Sequence, residues 1–132
     1  MSYPIADLEN IAPGVAATLK IGQSVIEGSG GSSSNTGIWF QGGNGSLTLE
    51  DSQARGKGGS ASYGLVYSNA TLTALHVELS GATNSISVGP SAAGAGKIAL
   101  SRLSGPTLAG LPLTCSAITT ASYGFVTGPA CP

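Results

Sequence analysis

From Ala17 onward the chain repeats one pattern of apolar and polar positions. ATLKIGQSVIEG from Ala17, GSLTLEDSQARG from Gly45 and ATLTALHVELSG from Ala70 align without gaps, and GKIALSRLSG from Gly96 follows once two residues are dropped. The anchors Leu19, Leu47, Leu72 and Ile98 recur about every 26 residues. Apolar and polar residues alternate within each copy at a period of two, which marks strands with one buried face. The density of Gly, Ser and Thr disfavours helix. With the anchor as position 0, positions 0, 2, 5 and 7 collect Leu19, Ile21, Ser24 and Ile26, then Leu47, Leu49, Ser52 and Ala54, then Leu72, Ala74, Val77 and Leu79. The fourth copy gives Ile98, Leu100 and Leu103 at positions 0, 2 and 5. The change from even to odd positions predicts a bend, so that both legs turn side chains inward.

A Gly/Ser-rich stretch and a second apolar run follow each copy: TGIWF at 36, YGLVY at 63, NSISV at 84 and YGFV at 123. These runs add Ile38, Phe40, Leu65, Tyr67, Ile86, Val88 and Phe125 to the expected interior. Serine precedes tyrosine in SYPI, SYGLVY and SYGFV, and Tyr3, Tyr63 and Tyr123 read as corner markers leading into the second strand. Short strands separated by glycine-rich corners describe one coil of a β-solenoid. Each strand then pairs with its counterpart in the next coil, ~4.8 Å away. The expected fold is all-β, a single solenoid domain of about four coils. Residues 1–16 form an N-terminal segment or partial coil, 17–105 the repeat coils, and 106–132, with four prolines and both cysteines, a C-terminal cap. SYPI has no first run before it, so the chain is expected to start in mid-coil, leaving a strand edge open to addition of another chain.

Composition changes this picture in three ways. With 5% aromatic residues and 21 glycines, the core must be built from small and aliphatic side chains. A net charge of -1 and a positive mean hydropathy favour an ordered chain over a disordered one. Five basic residues spread along the chain make no patch for nucleic acid. No apolar stretch approaches the ~20 residues that span a bilayer, and MSYPIADLEN lacks the regions of a signal peptide, so no membrane insertion is expected.

Cys115 and Cys131 are either a disulfide closing a terminal loop or two buried thiols, and the disulfide is the favoured reading. It would imply an oxidising location. A metal site would need more ligands than the single histidine, His76, adds. No metal or cofactor is expected.

Outward position 4 stacks Gln23, Asp51, His76 and Arg102. His76 between an acid and a base could form a general-base group. A surface polar ladder, contributing a few tenths of a kcal/mol per pair, is favoured because no nucleophile or second carboxylate pair lies close by. Outward from the second runs lie Trp39, Val66, Ser87 and Val126, a partly apolar stripe. Such a stripe suits cover by the N-terminal segment, contact with another subunit, or a sugar-ring platform. T-x-T occurs once, at Thr71 to Thr73, too rarely for an ice-binding ladder. GSGGSSSNTG and GKGGSASYG lack the G-K-[ST] ending of a phosphate loop. No catalytic residue is expected.

The A-T-L-T strand at Ala70 to Leu72, Y-G-L at Tyr63 to Leu65, N-S-I at Asn84 to Ile86, and Thr114–Cys115 followed by Tyr123 to Phe125 carry a resemblance. Over residues 15–132 the chain resembles the C-terminal part of uncharacterised bacterial Ser/Gly/Thr-rich right-handed parallel β-helix proteins of the pectate-lyase-like superfold. The resemblance implies a secreted or surface protein, and it does not imply lyase activity, because fold does not carry function. The expected role is a non-enzymatic structural or adhesive module of a secreted, cell-surface or phage-fibre protein, extracellular or at the cell surface. Its expected partner is itself, as a trimer or head-to-tail fibre. The alternative is a carbohydrate-binding or carbohydrate-active β-helix that contacts surface carbohydrate.

Overall fold

A computed structural model describes residues 18–88, 96–108 and 113–132, and all regular structure in them is β. The first turn runs through β1 (Thr18–Gly22), β2 (Val25–Ser29) and the first half of β3 (Ser34–Glu50). The second takes the rest of β3, β4 (Gln53–Lys57) and the first half of β5 (Ala61–Leu75), and the third ends β5 and adds β6 (Glu78–Ser80) and β7 (Asn84–Val88). Then come β8 (Gly96–Ala99), β9 (Arg102–Ser104), β10 (Thr107–Leu108), β11 (Leu113–Ser116), β12 (Ile118–Thr120) and β13 (Phe125–Val126). One sheet runs β1-β3-β5-β7-β10, with β8 joined to β5 and β11 to β8; the other runs β13-β12-β9-β6-β4-β2. Every pairing except β12 with β13 is parallel. This is a parallel β-solenoid of about three full turns. That is slightly fewer than the expected four, and the third leg of the fourth turn is described only at Thr107–Leu108.

Register follows the hydrophobic columns through the third turn. Leu19 pairs with Leu47, Leu47 with Leu72, and Ile26 with Ala54, which in turn pairs with Leu79. Leu47, Leu49, Leu65, Leu72, Leu79 and Ile86 are fully buried at the centre of the stack. The second apolar runs enter the core as expected, with Ile38, Phe40, Leu65 and Tyr67 each at 1% exposure or less. Burial pushes the Tyr67 phenol up to about 12.

The fourth turn departs from the sequence alignment by two residues. Gly96, not Ile98, pairs with Leu72, while Ile98 pairs with Ala74 and Leu103 with Leu79. A Cβ on Gly96 would collide with the Tyr67 hydroxyl and with Leu113 Cδ1. Tyr67 thus fills the space that a leucine fills in the other turns, and the rung slides to place glycine beneath it. Close approach recurs at Gly56, where a Cβ would overlap the carbonyl oxygens of Asn35 and Tyr63.

The predicted bend between the first two legs is present. One residue per rung makes it: Gln23, Asp51, His76, Leu100 and Ala117 all adopt left-handed backbone, with φ between 47° and 53°. The residues that follow tie successive rungs together. Ser52 Oγ donates to Glu50 O at 2.7 Å and accepts from Ser24 N at 3.1 Å, and Ser101 Oγ donates to Ala99 O at 2.6 Å and accepts from Val77 N at 3.1 Å. Main-chain groups that the turn leaves unpaired are satisfied in this way.

The two ends differ. Residues 113–120 continue the stack, Cys115 pairing with Ile98 and Thr119 with Arg102. The chain then turns, Tyr123 N donating to Thr120 O at 3.0 Å, and β13 runs back antiparallel along β12. The SYGFV stretch is therefore a hairpin and not a third leg, and its faces are reversed from expectation. Phe125 is 64% exposed, whereas Val126 rests against the core. Beyond it Pro129 O accepts from Cys115 N at 2.9 Å, and Cys115 and Cys131 form a disulfide with Cα atoms 5.0 Å apart. At the other end β1 pairs only with β3 and β2 only with β4 among the described residues. Leu19, Ile21 and Ile26 are half-buried there, and Val25 is 70% exposed. The expectations for residues 1–16, including the mid-coil start and their cover of the Trp39 stripe, lie outside the described residues.

Candidate functional site

A shallow groove runs along the left-handed bend, between the corner residues and the outer side of the second sheet. Asp51, His76, Leu100 and Ala117 form one bank; Gln53, Glu78, Arg102 and Thr119 form the other; Phe125 closes the far end. The slide of the fourth rung decides which charges meet. Gln23, Asp51 and His76 share the corner column, but Leu100 occupies its next place, 55% exposed. Arg102 lies two positions further on, beside Glu78, with Nη1 3.7 Å from its carboxylate. The expected four-residue polar ladder is thus split across the groove.

His76 Nδ1 lies 3.5 Å from Asp51 Oδ1, both side chains more than half exposed. Water screens such a pair, and its contribution is under about 1 kcal/mol. The hydroxyls on the groove floor, Ser52 and Ser101, donate their protons to main-chain carbonyls and not to His76. Arg102 is held on three sides: by Glu78, by the Tyr123 ring 4.7 Å below its guanidinium, and by Ala121 O at 3.4 Å from Nη2. It fastens the C-terminal hairpin to the stack. Sequence reading set Phe125 in the interior and did not place Glu78 at this site; the Glu78–Arg102 pair becomes visible once Gly96 is taken as the anchor.

The outward stripe survives in part. Trp39 pairs in register with Val66 and Val66 with Ser87, while Val126 belongs to the hairpin, opposite Ile118. Trp39 and Tyr63 flank a depression of about 310 Å³, with Thr36, Asn84 and Ser87 also lining it. No group of three or more His, Cys, Asp or Glu among the described residues could hold a metal ion. Charge pairs also run along the outer faces: Lys20 Nζ lies 2.9 Å from Glu50, and Arg55 Nε 4.0 Å from Glu27. Compared with known family models, with curated proteins and with solved structures, the chain matches none.

Proposed function

We propose that this chain is a non-enzymatic structural or adhesive β-solenoid module of a secreted, cell-surface or phage-fibre protein, and that it associates with itself. The observation that carries the reading is the β1–β2 rung, whose outer edge is unpaired among the described residues while at the opposite end a hairpin and a disulfide fold back on the last rung. Strand edges with a half-buried apolar face favour pairing with another edge. The disulfide supports an extracellular or cell-surface location, since such bonds persist in oxidising compartments. A non-enzymatic role is supported by the groove, where His76 is solvated and the nearby hydroxyls are committed to the main chain. Sedimentation velocity over a wide concentration range tests self-association: concentration-dependent growth is expected, and a monomer throughout would overturn it.

A second reading, a carbohydrate-binding module, is favoured by the Trp39–Tyr63 depression, which Thr36, Ser87 and Asn84 also line. A glycan array separates the two. Binding lost in Trp39→Ala and kept in His76→Ala supports the depression; no binding to any glycan removes this reading.

A further inference from the structure

Resting on the self-association reading, we propose that the outer face of the second sheet docks a second copy of this chain. The two copies are related by a two-fold axis that runs parallel to the strands, between Glu78 and Arg102. No strand edge takes part in this contact.

One outward column crosses the whole of that six-stranded sheet. Val25 pairs with Gln53, Gln53 with Glu78, Glu78 with Arg102, Arg102 with Thr119, and Thr119 with Phe125. Their chain neighbours Ala54, Leu79, Leu103 and Ile118 are buried, so the column itself faces away from the core. Its chemistry reads the same from both ends: apolar, uncharged polar, charged, charged, uncharged polar, apolar. The apolar ends are exposed, Val25 at 70% and Phe125 at 64%, although the chain has only two phenylalanines and buries the other, Phe40. Large apolar side chains held in solvent on one face mark a contact surface.

Strands lie ~4.8 Å apart, so residues at equal steps from the axis meet across it. Glu78 then faces the partner's Arg102, Gln53 the partner's Thr119, and Val25 the partner's Phe125, each pair occurring twice. Glu78 and Arg102, 3.7 Å apart within one chain, join the partner's pair in an alternating ring of four charges. In the flanking columns Ser80 meets the partner's Ser104, and His76 the partner's Leu100, so no like charges are brought together. Other placements fail. An axis through Glu78, through Arg102 or along the column sets like charges against each other. Moving it by one strand puts Val25 on the partner's Arg102, or Phe125 on the partner's Glu78. Charge and apolar complementarity coincide in the central register alone, and that self-complementarity makes a second copy the occupant.

The test uses the full chain and two charge reversals, Glu78→Lys and Arg102→Glu. Each alone sets two like-charged pairs across the axis and should dimerise about tenfold more weakly than the parent. Mixed in equal amounts, they form a heterodimer in which both cross-axis pairs are again opposite, and affinity should return. Because Arg102 also holds the hairpin, a third variant, Val25→Asp, removes an apolar end that is solvated in the single chain and should weaken dimerisation as well. Circular dichroism checks that each variant keeps its β signal. Sedimentation showing a parent dimer, loss in each folded variant and recovery in the mixture supports the docking. Should Arg102→Glu lose its β signal, losses in both Glu78→Lys and Val25→Asp support it. Association indifferent to Glu78→Lys or to Val25→Asp, or no recovery on mixing folded variants, overturns the docking while leaving self-association intact. A parent that stays monomeric overturns both.

Discussion

The first and last rungs are built on the same columns yet meet solvent in opposite ways. Ile21 and Cys115 occupy equivalent inward positions; Ile21 is half-buried, whereas Cys115 is 1% exposed beneath the folded-back C-terminus. The repeat buries a side chain only when a neighbouring rung covers it. The C-terminal end supplies that cover by leaving the repeat: a turn at Thr120–Gly124, an antiparallel strand and a disulfide. The N-terminal rung stays repetitive, and its edge has no partner strand among the described residues.

The sharpest way to break this comparison is to truncate one column at two heights. Leu72→Ala, in the fully covered centre, should cost about 3–4 kcal/mol in urea unfolding, and Leu19→Ala, on the half-buried rung, about 1 kcal/mol or less. Equal costs would mean that the terminal rung is as well covered as the middle. Opening the disulfide, which spans a separation of 16 residues, should cost about 3 kcal/mol. Amide exchange reads the same event locally: protection in β11 and β12 should fall toward that of β1 and β2 on reduction.

Tyr67 offers a titration of the interior. Its folded pKa is raised to about 12 from 10.0, so the folded state holds the proton more tightly than the unfolded chain. The stabilisation is fully present below pH 10 and is lost as pH rises through 10 toward 12. Phenolate absorbance from Tyr67 should therefore appear together with unfolding. Smallest of all is His76→Ala, expected to change stability by less than about 0.5 kcal/mol because its ion pair is solvated. A loss above 2 kcal/mol would show that the corner depends on this side chain.

Much of the fold was legible because a solenoid writes its register in its spacing: Leu19, Leu47 and Leu72 align in the sequence and pair in space. The failure at the fourth rung has one cause. Ile98 looks like an anchor, but the anchor site is Gly96, made necessary by a tyrosine 29 residues earlier in the chain. Volume exchanged between legs leaves no local mark. That single slide moved Arg102 out of the expected ladder and onto Glu78. SYGFV misled for a different reason, since a motif that begins a third leg does so only if a rung remains to receive it. The cysteine pair was readable, because two cysteines in the last 18 residues had few other partners.

The left-handed corner has a consequence for how such a chain can diverge. Gln, Asp, His, Leu and Ala hold one backbone shape there, although none has the freedom of glycine. Their side chains lie outside the columns that set register. The conformation is enforced by the rungs and serine ties around it, and the residue identity is left unassigned. The column can therefore exchange one chemistry for another, rung by rung, while the frame stays constant. It is a row of mutable letters on a fixed line, where new recognition could arise without the cost of inventing a new fold.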